Sequence, residues 1–533
     1  MARRWQWLPL VFAAAYVVLL LTSLRSLVQS IYRDADVVSA PYIGELAGQA
    51  PHGAQIVLGN SLWFPALWFE RLTHALPHHR QIWELAPWLA SLAGVALVSW
   101  STAKAAGRWA AAMVALPLAC ASPFLLSLQF GWSVHALVYV AVAALGAFVV
   151  LCVGGAGVIR GPFVHVGSSL VLAGLTAIVL ASDKLLYLLG LAPFVISGVA
   201  MLWLVGGTPG IRTAVSVVVV AGLSVLGAVL IGALVADEHI VGHRFPVRFT
   251  TFDQIAAHVR LLFHSLASLF YGDFGGAAIA FSSVVKLVCA AVVFIGAVAG
   301  TRYVWRWSVA AVRGVRERGP KPAPVRAAHL VFWIAVATLG SLGYVFSNVP
   351  VDQTSARYVV PVAYGIAALL AVAAAGASSA APRAALVGGT CVLLFGSSLA
   401  LANRELQAGA STWPSPAVSG ALADFLRGQG LRYGYGDYWV AAPLTWGSQA
   451  SIQVYPVLSC GPTLCPFYLH DISSWYQPRP NTRTFLVADP LQTLYLSTPV
   501  PALGKPDQVA QVDGLTVYVY PYDIAARFRP VDP

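Results

Sequence analysis

Five residues, Tyr32-Arg33-Asp34-Ala35-Asp36, carry two carboxylates and a guanidinium where the chain leaves its first long apolar run. Asp34 or Asp36, held ionised by a neighbouring arginine, can still accept a proton from a substrate hydroxyl as bond formation lowers that hydroxyl's own pKa. One such base suffices for a group transfer with inversion; the alternative is a pair of solvated loop acids. Arg357-Tyr358 closes the short polar stretch 347–358 ahead of another apolar run. Five fixed donors suit a phosphate whose lipid tail stays in the bilayer. Equally, Arg357 could snorkel to anchor its helix or pair with Asp352. His243, Arg244 and Arg248 precede an amphipathic stretch bearing His258, Arg260 and His264, a set for phosphate groups or for anionic headgroups. Arg33, Arg244, Arg248, Arg357 and Tyr358 are therefore the candidate substrate-binding residues, and Asp34 and Asp36 the candidate catalytic ones. Asp237, Glu238 and His239 could hold a divalent cation together with the first loop, whereas His74, His78 and His79 dictate no ligand geometry.

The elements that must position these residues are membrane helices. Of 533 residues, 58% are hydrophobic and 10% charged, against roughly a quarter charged in a soluble domain. A span needs about 20 apolar residues, and eleven runs qualify: 8–28, 84–103, 109–127, 134–153, 164–181, 185–205, 213–235, 284–300, 327–346, 359–377 and 384–402. The first is too long for a signal-peptide core and reads as an anchor. The net charge of +11 falls in alternate loops, at Lys104 and Arg108, Arg160, Arg212, Arg302 to Arg326, and Arg383. That is the positive-inside pattern, not a nucleic-acid-binding stripe, and it sets the N-terminus inside and the tail outside.

The outer loops 31–83, 237–283 and 347–358 and the tail 403–533 are the substantial ones. Phe64, Trp68, Leu72 and Leu76 recur every fourth residue, and, after Asp253 as N-cap, Ile255, Val259, Leu262, Leu266 and Leu269 alternate at spacings of four and three on one face; each set predicts an interfacial helix. The tail predicts a helix from Ser415-Pro416 to Arg427, strands at 432–436, 451–458, 483–488, 508–512 and 515–520, and a hairpin turn at Asp513-Gly514. Its aromatics, Tyr433 to Trp439 and Trp446, suit either a sugar-binding surface or a small core. Cys460 and Cys465 lack companions at metal spacing beyond His470 and read as a local disulfide formed in an oxidising compartment. The other four cysteines lie in apolar runs. The fold class is thus mainly α, with about eleven transmembrane helices in residues 1–402, interfacial helices in the outer loops, and a small soluble α/β domain in residues 403–533.

This arrangement resembles the GT-C superfamily of membrane glycosyltransferases. The likeness is carried by Asp34 and Asp36 in the first outer loop, the interfacial helices, Arg357-Tyr358 with Pro361 before a late span, and the outward tail. Gly436-Asp437-Tyr438-Trp439-Val440-Ala441 with Leu444-Thr445 is similar to the tail of bacterial members. The resemblance implies a polyprenyl-phosphate-sugar donor bound from the outer leaflet of a bacterial inner membrane, and a glycan, lipid or protein acceptor. It also implies Asp34 or Asp36 as base and Arg357 on the leaving phosphate; a divalent cation stays open. A shared cavity between the carboxylates and Arg357 would leave room for a sugar phosphate, whereas groups far apart or directly salt-bridged would put the transporter and scaffold readings first. The competing classes are a transporter or flippase of lipid-linked sugars, which places charge near the midplane and shows paired repeats, and a non-catalytic envelope-assembly protein.

Overall fold

The computed structural model describes residues 7–59, 64–131, 135–154, 162–242, 246–275, 278–317, 323–406, 417–467, 469–490 and 496–529. Their helices are α1 (Leu8–Ile31), α2 (Ala35–Ala47), α3 (Phe64–Thr73), α4 (His79–Ala106), α5 (Arg108–Ala119), α6 (Pro123–Phe130), α7 (Ala136–Gly154), α8 (Pro162–Ser182), α9 (Ala192–Leu204), α10 (Gly207–Asp237), α11 (Phe252–Ser268), α12 (Phe281–Arg316), α13 (Pro324–Phe346), α14 (Val360–Ala375), α15 (Ala381–Ala402), α16 (Ala417–Gly428) and α17 (Tyr438–Gly447). A π-turn, Tyr187–Leu191, leads into α9, and a 3₁₀ turn, Gln353–Val359, into α14. Among the described residues, ten helical segments are long and apolar enough to cross a membrane, and α5 and α6, bent by 84° at the break between them, reach that length and apolarity only when taken together. The protein is polytopic. Leu170, Val171, Leu175, Val218, Leu226 and Phe294 stand exposed on α8, α10 and α12, as a lipid-facing belt requires.

The bend corrects the straight span expected at 109–127. Ser122 precedes Pro123 and is therefore driven to extended backbone (φ −60°, ψ 155°); its hydroxyl then caps α6 by accepting from Leu125 N at 3.2 Å. The pair still runs the length of α4. It starts beside Gly107, and at the other end the Phe130 ring stacks on Trp88 at 5.3 Å while its carbonyl shares the Tyr32 hydroxyl with that of Trp83. Helix α12, at 36 residues, is about 54 Å long at 1.5 Å per residue. It carries the basic residues Arg302, Arg306, Arg313 and Arg316 beyond the span expected at 284–300.

Helix α2 has no counterpart in the sequence reading. It contains Pro41 and is buried on nearly all sides, so it shows neither an uninterrupted helical run nor an apolar stripe. Helix α3 presents Leu67, Glu70 and Thr73 to the protein and turns Leu72 outward, 77% exposed, as an interfacial helix should. In α11 the stripe Leu262, Leu266 and Leu269 instead packs inward, against α13 and the Gln353–Val359 turn. Asp253 is a first-turn residue of α11 and Thr251 holds the cap position.

Beyond α15 lies a six-stranded sheet in the order β5-β4-β3-β7-β9-β8, formed by β3 (Tyr433–Gly436), β4 (Gln453–Cys460), β5 (Thr463–Pro466), β7 (Thr484–Ala488), β8 (Gln508–Val512) and β9 (Leu515–Tyr520). The expected hairpin joins β8 to β9 through Asp513 and Gly514, both at positive φ. A second sheet, β2-β1-β6, pairs β1 (Ile56–Leu58) parallel to β2 (Ile240–Gly242) and antiparallel to β6 (Asp471–Ile472). Three distant parts of the chain are stitched together by it. The C-terminal region is further docked by Tyr42, whose hydroxyl donates to Val454 O at 2.8 Å, and by Arg80, which donates to Trp446 O and pairs with Glu45 at 2.7 Å. Of the tail aromatics, Tyr435, Tyr438 and Trp446 are buried and Trp439 is exposed; Trp446 takes part in this docking, while Tyr435 packs on Tyr455 and Phe528 within the region.

Cys460 and Cys465 form the expected disulfide across the β4–β5 hairpin. Closing so short a loop constrains the unfolded chain by about 2 kcal/mol. The Cys460→Ser/Cys465→Ser protein should accordingly unfold a few degrees below wild type, monitored by circular dichroism; an unchanged midpoint would show that the bridge contributes no stability.

Candidate active site

Helix α1 ends at Ile31, and α2 begins at Ala35 after a tight corner in which Asp34 N donates to Ile31 O at 3.1 Å. Tyr32 fixes that corner: it is buried, holds the Trp83 and Phe130 carbonyls, and stacks on Trp446 at 6.2 Å. Asp34 is the N-cap of α2, its carboxylate accepting from Asp36 N at 2.9 Å. Asp36 follows in the first turn. Both acids therefore sit at the positive end of a helix, on backbone that cannot wander.

Their surroundings differ. Asp36 is clamped: Oδ2 accepts from Arg357 Nη1 at 3.0 Å and Oδ1 from the Tyr438 hydroxyl at 3.2 Å. Asp34 is reachable by solvent but crowded by protein. That crowding, then the charge of Asp36, pushes its carboxyl up to about 6, with the Asp36 amide and the Arg357 guanidinium pulling the other way. The Tyr438 hydroxyl is held well above the ordinary phenol range, by burial first and by the Asp36 charge second.

Arg357 belongs to the Gln353–Val359 turn and its carbonyl accepts from Tyr139 at 2.8 Å. Its guanidinium lies over the Tyr358 ring at 5.2 Å, and Nε is buried without a hydrogen-bond partner among the described residues. Asp36 and Arg357 are thus joined in a direct ion pair and not held apart across a shared cavity, each side chain about a quarter to a third exposed. Asp352 is not the partner of Arg357. It caps the turn, accepting from Thr354 N at 2.9 Å.

Two residues overlooked in the sequence extend the cluster. The His135 ring packs at 5.1 Å on Tyr358, and its Nδ1 bonds the carboxylate of Asp183. Asp183 is buried just beyond α8 and accepts from Leu185 N at 2.9 Å. The signal was present: each is an ionisable group at the edge of an apolar run, in loops too short to draw notice.

The remaining candidates scatter. Arg33 is half-buried beside the corner. Arg248 is exposed on an extended stretch pinned to Asn348 by N–H to Oδ1 at 2.8 Å, in the loop that leads to Arg357. Arg244 lies outside the described residues. Glu238 pairs with Arg71 at 2.6 Å, so the suggested cation site with Asp237 and His239 loses a ligand to an arginine. His74 and His79 do converge, on Glu70.

No protein-family model and no curated protein matches the chain. A solved structure does: that of ArnT from Cupriavidus metallidurans in the apo state aligns over 97% of this chain and 100% of that one, with a TM-score of 0.53 at 14% identity. The likeness extends through the membrane helices and the C-terminal region alike, and it is a likeness of fold.

Proposed function

We propose, from the fold shared with ArnT and the resemblance to the GT-C superfamily, that this protein is a membrane glycosyltransferase moving a sugar from a polyprenyl-phosphate donor to an acceptor at the outer face of a bacterial inner membrane. The observation that carries this reading is the division of labour at the α2 N-terminus, with Asp36 clamped by Arg357 and Tyr438 while Asp34 stays open. Asp34 takes the proton of the acceptor hydroxyl, whose oxygen forms a bond to the anomeric carbon. The bond from that carbon to the phosphate oxygen breaks, its electron pair leaves with the phosphate, and the configuration inverts. Arg357 faces the departing charge with donors that Asp36 does not use. The basic residues of alternate loops support an inside N-terminus and an outside C-terminal region.

The test is transfer of radiolabelled sugar from polyprenyl-phosphate donors in proteoliposomes of the full chain. The rate should rise with pH through about 6, the value to which the Asp34 carboxyl is pushed, because only the ionised base accepts the proton. That limb should vanish in Asp34→Asn, which keeps no group to titrate. A rate independent of pH between 5 and 8 would remove Asp34 from the chemistry.

The direct Asp36–Arg357 pair favours a second reading, in which it is a latch holding α2 against the turn before α14 in a scaffold or a lipid-sugar transporter. Movement of label across the bilayer without transfer would establish that one.

A further inference from the structure

Glu70 is the anomaly of α3. It lies on the face turned to the protein, 4% exposed, where Gly44 of α2 backs it so closely that a Cβ at Gly44 would stand 3.2 Å from Glu70 Cβ and Cγ. Neither Lys nor Arg is paired with it among the described residues. Oε1 meets His74 Nδ1 at 3.1 Å, and Oε2 is buried with no hydrogen-bond partner there. A carboxylate withdrawn from water with one oxygen unmatched is costly, so the site asks for a further cation.

The chain delivers the means. His74 follows Glu70 by one helical turn; the corner through His78, at φ 61°, then swings His79 to within 5.4 Å of the His74 ring. One donor atom from each of Glu70, His74 and His79 lies within 4.8 Å of the other two. Ligands of a tetrahedral zinc, bonded at about 2.0–2.1 Å, are spaced by about 3.3 Å, a closure that side-chain rotation alone supplies. Two imidazoles and a carboxylate suit zinc; magnesium asks for an octahedral shell of oxygens.

We propose that Glu70, His74 and His79 bind one zinc ion, with water in the fourth position. The metal staples the α3–α4 corner against α2, beside the Glu45–Arg80 ion pair. Gly44 is about 15 Å along α2 from Asp34, so the site is positional and independent of the transfer reaction.

Tag-free full-length protein in detergent, equilibrated with zinc sulfate and dialysed, should retain about one zinc per chain by mass spectrometry of the metal. His74→Ala and His79→Ala alter exposed or half-exposed side chains and should each bind at least about tenfold more weakly. Chelation should lower the unfolding midpoint of the wild type and not that of either variant. His74→Cys, charged with cobalt(II), should show a thiolate-to-cobalt absorption band, which a merely structural His74 would not give. Zinc retained at the same stoichiometry in the double alanine variant would overturn the proposal, as would wild type holding no more than that variant.

Discussion

Replacing Asp34 by asparagine lowers sugar transfer by about 10²–10⁴-fold, with the fold intact. Asn is as good an N-cap as Asp, and its side-chain oxygen can still accept from Asp36 N, so α2 keeps its start. The electrostatics point the same way. The folded-state value of the Asp34 carboxyl, about 6, lies above the ordinary value near 4. Its contribution to stability is therefore complete below pH of about 4 and is lost as pH rises through about 6. Asn carries no such loss, so at pH 7.5 the variant should unfold no lower than wild type. Transfer measured in proteoliposomes, beside a thermal melt of the same preparation, separates chemistry from folding. A variant turning over within a few-fold of wild type would sink the assignment of Asp34 as base. Asp36→Asn is the control: it leaves Arg357 and Tyr438 without their charged partner and should perturb position more than proton transfer.

What the sequence makes legible here follows from the range of the forces involved. Apolar runs report bilayer thickness directly, so the membrane helices are readable one by one, α5–α6 aside, where Ser122-Pro123 interrupts a run whose composition never changes. Five strands of the six-stranded sheet were marked by β-branched and aromatic runs between turn residues, and Asp513-Gly514 by the positive φ its turn demands, whereas β5 (Thr463–Pro466), a short edge strand, went unread. Helix α2 was invisible because burial on all sides erases the stripe by which helices are recognised. The site was legible in its members and not in its pairings. Asp36 and Arg357 stand 321 residues apart, and nothing local says that they touch; Asp352, five residues from Arg357, was the nearer partner and the wrong one. Tyr438 looked like core packing, and it is, yet its hydroxyl ends on Asp36. His135 and Asp183 meet only because α7 and α8 start and stop on one side.

The ion pair makes Arg357 the most informative second target. Arg357→Gln is expected to lower transfer by about 10²–10³-fold, the range for removing one donor aimed at developing negative charge. That loss alone would not separate the two readings, since a broken latch also misplaces α2. The cycle with Asp36→Asn does. If Arg357 serves only to hold Asp36, the latch is already released in Asp36→Asn, and adding Arg357→Gln costs nothing more; the two losses then overlap fully. If Arg357 also receives the leaving phosphate, Arg357→Gln costs about tenfold or more even in the Asp36→Asn background. Arg357→Lys should recover part of that, restoring charge without the planar fork that grips two oxygens at once. The unfolding midpoint supplies the independent axis. A pair whose side chains keep a quarter to a third of their surface in solvent contributes modestly, nearer the surface range of about 0–1 kcal/mol than the buried one. The single variants should therefore melt within a few degrees of wild type while differing from it greatly in turnover. Losses of turnover that track losses of stability across the cycle would instead make the pair a latch and move the leaving-group role away from Arg357.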